Sequence, residues 1–211
     1  SHQQRVFKFL SKLDGFDPCG FHGVTSSGKT EVYMRLVEEA LKKGGSCLLL
    51  IPEISLTPQL EQRFKKRFGE NIGTYHSKKT PKERFETWKK SKSGELRVLI
   101  GTRSSLFVPL QKLSLIIIDE EHDASFKQQE GLKFSAKDVA IKMAQDRKIP
   151  IILASATPSL KMLHLVDKGK YKFISIPKRI NDKNPPKFSI LNSHFLDRKS
   201  GIDTCLLYTS D

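Results

Sequence analysis

The chain is poor in residues that build covalent or metal frameworks. Its 211 residues include three cysteines, Cys19, Cys47 and Cys205, set far apart with no C-x-x-C pair. Such spacing makes neither a disulfide scaffold nor a thiolate zinc site legible, and a reducing cytoplasm is the expected setting. Long apolar runs are missing too. Nothing approaches the roughly 18 residues that span a bilayer, so no membrane partner is expected. The first residues lack the charged-then-apolar pattern of a secretory signal. Acidic residues are scarce, with 23 Asp+Glu against 37 Lys+Arg and a net charge of +14. That imbalance points toward a polyanionic partner. Residues 61–100 alone carry 12 basic against 5 acidic side chains. Lys65, Lys66, Arg67, Lys78, Lys79, Lys82, Lys89 and Lys90 also fit the solvated faces of surface helices.

What the chain does have is alternation. Short apolar runs at Ser46–Ile51, Arg97–Gly101, Ser114–Ile118 and Pro150–Ala154 read as buried strands. Helical periods fill the gaps, at Lys29–Lys43, Thr57–Phe68, Pro81–Lys92 and Ser135–Arg147. Thr57-Pro58, Thr80-Pro81 and Thr157-Pro158 each pair a capping hydroxyl with proline at the first helical position. This order predicts an α/β fold with a mainly parallel sheet and helices on both faces. Beyond Ile176 the pattern fades. Residues 181–211 read as a linker and a truncated or disordered tail, with one further strand expected at Lys187–Asn192.

Gly23-Val24-Thr25-Ser26-Ser27-Gly28-Lys29-Thr30 matches G-x-x-x-x-G-K-[ST] in full. Glycines let backbone amides close around phosphate oxygens, and the helix opening at Lys29 adds its N-terminal dipole. Lys29 is expected between the β- and γ-phosphates of ATP, with the Thr30 hydroxyl on Mg²⁺. Such a site needs a carboxylate at the end of an apolar strand. Leu115–Ile118 followed by Asp119-Glu120-Glu121-His122 supplies one. Asp119 is the expected Mg²⁺ partner, and Glu120 the group that polarises the attacking water.

The phosphate loop, the Asp-Glu-Glu-His box and Ser155-Ala156-Thr157 together resemble the superfamily 2 helicases. More narrowly, His22–Tyr33, Ile51–Gln59, Gly101–Phe107 and Asp119–Gln128 look like the replication-restart DNA helicases. The resemblance implies that residues 1–180 form a RecA-like P-loop NTPase domain, the first lobe of a motor unwinding DNA 3′ to 5′. It implies single-stranded and forked DNA, primosome proteins and a second RecA-like lobe as partners. That second lobe, its arginine finger, the family's zinc-binding insertion and its N-terminal DNA-binding regions have no counterpart in this sequence. An isolated lobe is therefore expected to hydrolyse ATP poorly.

Carried over by position, Thr57, Thr102 and Arg103 would grip the DNA backbone, or Arg103 would form a salt bridge between motifs. Phe126, Lys127 and Phe134 match an aromatic-rich loop whose rings would stack on unpaired bases. Ordinary core packing is the competing reading for both phenylalanines. His122, Ser155 and Thr157 would link hydrolysis to lobe movement. Gln3 or Gln4 corresponds to an adenine-contacting glutamine, and Ser26 stands where many relatives have glycine. Two other readings compete with the motor. One is a nucleic-acid-binding or docking module with a vestigial nucleotide site, and the other is a P-loop kinase.

Overall fold

The computed structural model describes residues 2–129, 131 and 133–176. The chain divides into units Ser1–Ile180 and Asn181–Asp211, and the described residues all belong to the first. The strand expected at Lys187–Asn192 and the linker and tail lie outside the described residues.

Nine strands and six α-helices are described: α1 (His2–Leu10), β1 (Pro18–Gly23), α2 (Lys29–Lys42), β2 (Ser46–Leu50), α3 (Pro58–Phe68), β3 (Ile72–Tyr75), α4 (Pro81–Ser93), β4 (Val98–Gly101), β5 (Leu113–Ile118), β6 (Lys127–Gln128), β7 (Phe134–Ser135), α5 (Ala136–Arg147), β8 (Ile151–Ser155), α6 (Leu160–Asp167) and β9 (Lys172–Ile176). Seven strands form one sheet in the order β3-β4-β2-β5-β8-β1-β9, and every pairing in it is parallel. β6 and β7 form a separate antiparallel pair.

The strand period of two explains why helices cover both faces. Leu49, Ile51, Leu115 and Ile117 enter one core with Val32, Val37 and Phe64 from α2 and α3. Their neighbours Leu48, Leu50, Ile116 and Ile118 enter a second core with Ala136, Ala140 and Ala144 of α5 and Met162 of α6. Alternate side chains thus meet different helix layers, so these strands read as unbroken apolar runs.

Local chemistry sets the helix starts. Thr80 and Glu83 form a complete capping box ahead of Pro81, and the Thr57 side chain accepts from Leu60 N. The third expected cap does not form. α6 starts two residues later than Thr157-Pro158 implied, capped by Ser159, whose hydroxyl accepts from Met162 N. The cause is Glu121, which accepts from both the amide and the hydroxyl of Ser159 and so selects that residue as the helix entry.

Candidate active site

In an all-parallel sheet every strand delivers its following loop to the same edge. The phosphate loop follows β1, the acidic box follows β5, and Ser155 ends β8, which lies between those two strands. Ile51–Gln59 follows β2 and Thr102 follows β4 at the same edge.

Lys29 and Glu120, 91 residues apart in sequence, meet there, with Nζ 2.8 Å from Oε1. Lys29 is the more enclosed partner, its side chain 10% exposed against 28% for Glu120. Gly28 caps α2 in the left-handed region at φ 85, a conformation glycine adopts without steric cost. Ser26 takes φ 63 and Glu120 takes φ 47, both rare for residues with a Cβ. Strain at the loop and at Glu120 fits a site that holds its geometry against local preference.

Asp119 sits deeper. Tyr33 of α2 donates its hydroxyl to Asp119 Oδ1 at 2.8 Å, and Glu120 N donates to the same oxygen at 3.1 Å. Burial pushes the Asp119 carboxyl up from its ordinary value, opposed by the Tyr33 hydrogen bond and the Lys29 charge. Burial and the nearby Asp119 charge push the Tyr33 phenol well above its own ordinary value, so it remains a donor. Sequence reasoning gave Tyr33 no role. Its position one turn after Lys29, on the face of α2 turned toward the sheet, was the available signal.

The remaining acidic and hydroxyl groups form a connected set. Glu120 Oε2 lies 3.4 Å from Ala156 N and 3.5 Å from Ser155 Oγ. His122 Nδ1 lies 2.8 Å from Ser155 Oγ, and Nε2 lies 3.3 Å from Thr157 Oγ1. The histidine therefore bridges both hydroxyls of the Ser-Ala-Thr motif. Glu121 faces away from these groups and is buried, with Lys137 Nζ 2.6 Å from Oε2 and Ser159 N 2.7 Å from Oε1. Burial would raise its carboxyl, but the Lys137 and Ser159 hydrogen bonds outweigh that and hold it low.

The residues present fit a magnesium nucleoside triphosphate. A Cβ on Gly23 would meet Ser27 Oγ at 2.7 Å and Lys29 Cγ at 2.9 Å, so the cradle closes only around glycine. Ser27 Oγ is buried without a hydrogen-bond partner among the described residues. Both hydrogen bonds to Asp119 fall on Oδ1, leaving Oδ2 for a cation. Among the described residues no group of three His, Cys, Asp or Glu side chains is set to hold a metal alone. Mg²⁺ fits such a site, since it commonly takes one or two protein ligands and completes its shell with phosphates and water. Gln3 Nε2 donates to Ser27 O at 3.3 Å, which puts that glutamine against the loop.

Two expectations for nucleic-acid contacts need correction. Phe126 is 2% exposed and packs in the second core, so no base can reach its ring. It closes a short 3-10 turn, Ala124–Phe126, whose entry is fixed by Asp123 accepting from Ser125 N. Among the described residues Arg103 makes no inter-motif salt bridge. Its guanidinium donates to the carbonyls of Ser125 and Lys127, both at 3.3 Å, and clasps the segment after the acidic box. Phe134 is half-buried, edge-on to exposed Phe107 with ring centroids 5.5 Å apart. Lys127 is exposed, Thr57 is committed to its cap, and Thr102 N donates to Tyr75 O.

A parallel sheet with a lysine-tipped phosphate loop facing an Asp-Glu-Glu-His box defines a P-loop ATPase of the helicase type. The profile of the DEAD/DEAH box helicase family matches residues 1–166, and the chain belongs to that family. It is a helicase motor lobe. It is similar to the replication restart protein PriA of Bacillus subtilis (strain 168), with 44% identity over 171 residues, 81% of this chain and 21% of that protein. Against PriA of Haemophilus influenzae the identity is 40% over 205 residues, covering 97% of this chain and 28% of the relative. The chain thus spans about a quarter of these relatives' length. Among solved structures, the Pyrococcus furiosus Hef helicase domain superposes with TM-score 0.57 at 21% identity, covering 83% of this chain and 38% of that one. RecG bound to a three-way DNA junction superposes at 0.58 and 20%, covering 88% of this chain and 24% of that one. At such identities these two show the RecA-like helicase fold alone. No described helix is long and apolar enough to cross a membrane.

Proposed function

We propose that this chain is the ATP-binding lobe of a cytoplasmic replication-restart DNA helicase that couples ATP hydrolysis to 3′-to-5′ movement on single-stranded and forked DNA. Primosome proteins and a second RecA-like lobe are its partners in this reading. The observation that carries it is the 2.8 Å contact between Lys29 of the phosphate loop and Glu120 of the acidic box. A triphosphate entering the loop competes with Glu120 for the Lys29 ammonium. Lys29 then neutralises the β- and γ-phosphates, and Glu120, released, orients a water for in-line attack.

A bound Mg²⁺ ion supplies further charge neutralisation on the phosphates, and Thr30 and Asp119 are the residues that would hold it. Ala156 N and Ser155 Oγ, already close to Glu120 Oε2, set where the freed carboxylate settles. His122 ties that position to Thr157, so a change at the phosphates is felt on the segment leading to α6. An arginine from a second lobe is worth about 10³-fold or more in such reactions, so the chain alone should turn over ATP slowly.

Equilibrium binding of a fluorescent ATP analogue, with and without Mg²⁺, tests the site. Lys29→Ala should weaken binding by about tenfold or more. Glu120→Gln should retain binding, because it removes the competitor for Lys29, while losing hydrolysis. Equal, weak binding by wild type and Lys29→Ala would instead support a docking module with a vestigial nucleotide site.

A further inference from the structure

The basic excess of residues 61–100 does not converge on the nucleotide site. Part of it lies on α4, which also carries an aromatic surface. Phe85 is 60% exposed, although it is a large apolar side chain. It stacks on Trp88 with ring centroids 6.4 Å apart and planes 12° from parallel. Lys92 Nζ lies 4.9 Å from the centre of the Trp88 ring. Tyr75, Pro81, Arg84, Phe85 and Trp88 line a shallow groove of about 390 Å³. Arg84 Nε is buried there without a hydrogen-bond partner among the described residues. The inner edge of Trp88 packs on the second core, which anchors the rings and lowers the cost of ordering them for a ligand.

We propose that this α4 groove binds a single-stranded nucleic acid, with a base continuing the Phe85–Trp88 stack and phosphates paired to Arg84 and the neighbouring lysines. It rests on the nucleic-acid substrate of the reading above and adds a contact surface outside the motifs that reading uses. Three observations favour this occupant. A flat, exposed and already stacked pair of rings accepts another flat ring without sequence preference. Lys82 and Lys89, on the α4 flank next to Phe85, are exposed, and with Lys92 on the Trp88 ring they match a polyanion. The groove also adjoins the sheet edge that carries the motifs, since Tyr75 ends β3 and its carbonyl accepts from Thr102 N at 3.2 Å. A strand passing Thr102 and Arg103 needs only to continue outward to meet it. An acidic peptide would satisfy the charges but offers no ring for Phe85.

Trp88 is the only tryptophan in the chain, so its own fluorescence reports on the groove. Titrating the 211-residue chain with oligo(dT) should quench that emission, in parallel with the rise in anisotropy of an end-labelled oligo(dT). Phe85→Ala should weaken binding by about tenfold, Phe85→Tyr should restore it, and added salt should weaken all three proteins. Phe85 is exposed, so its removal spares the core, and far-ultraviolet circular dichroism verifies that the variant is folded. Oligo(dT) that binds without quenching Trp88, or with equal affinity for Phe85→Ala, would overturn the groove and leave the helicase reading standing. Equal quenching by oligo-glutamate would overturn it in favour of an acidic peptide. No oligo(dT) binding at all would overturn it as well, while the ATP-binding comparison with Lys29→Ala would still report on the nucleotide site.

Discussion

Tyr33 donates its hydroxyl to Asp119 across 2.8 Å, so the helix that opens at the phosphate loop also holds the carboxylate on the other side of the site. Tyr33→Phe keeps the edge-on contact with Phe21, whose ring centroid lies 6.2 Å away, and removes only the donor. A buried carboxylate then loses a partner, at a cost of about 1–3 kcal/mol. Urea unfolding at pH 7 measures this. A change below about 0.5 kcal/mol, the range of neutral surface substitutions, would mean that water replaces the phenol.

Glu121 and Lys137 make a different kind of pair, because the glutamate side chain is 0% exposed and the lysine only 17%. Removing one partner leaves the other charge buried, so Lys137→Met should destabilise by about 3 kcal/mol. Glu121→Gln should cost less, since the amide oxygen can still accept from Ser159. The double variant should recover part of the Lys137→Met loss, giving a favourable coupling energy in a double-mutant cycle. Strict additivity in that cycle would show that the two side chains act independently.

These two pairs also mark where sequence reasoning stops. The phosphate loop, the acidic box and the alternating strands were legible because each depends on local pattern: glycine spacing, apolar runs, capping hydroxyls. Lys29 facing Glu120 followed from the parallel fold, which sends every loop to one edge. Tyr33, Glu121 and Ser159 were not legible, since their roles depend on which helix face packs inward and on contacts across tens of residues. Phe126 failed for the same reason. A phenylalanine in a loop beside lysines has the composition of a stacking platform, yet the short 3-10 turn rotates it into the second core. Thr157 misled as a cap because its hydroxyl is turned toward His122.

The backbone at Ser26 makes a graded prediction. With φ at 63 it occupies the left-handed region, where a Cβ costs about 1–2 kcal/mol. Glycine removes that strain but loses about 0.5–1 kcal/mol of chain entropy. Ser26→Gly should therefore be neutral to stabilising, by no more than about 1 kcal/mol. Ser26→Val should destabilise by more than about 1 kcal/mol, because β-branching is least compatible with positive φ. Thermal unfolding of the three proteins should rank Gly at or above Ser, and Ser above Val. A valine variant as stable as wild type would show that the loop simply adopts another conformation.

Acid should loosen the joint between α2 and α3. Arg67 of α3 donates to both oxygens of Glu38, at 2.7 and 3.0 Å, and to Glu31 at 2.9 Å. The Arg67 hydrogen bond holds the Glu38 carboxyl below its ordinary value; burial and the Glu31 charge oppose it, and Lys42 adds a small pull in the same direction. A depressed folded pKa means that this stabilisation is complete above the unfolded carboxylate value of about 4.3 and is lost as pH falls through the folded value. Arg67→Met removes the cause and should flatten that part of the acid limb, making the variant's stability less steep in pH below about 4.5 than the wild type's. Above that value the two curves should run parallel, with the variant lower. Urea midpoints measured between about pH 3 and 6 decide it. An unchanged slope in Arg67→Met would place the acid sensitivity on other carboxylates.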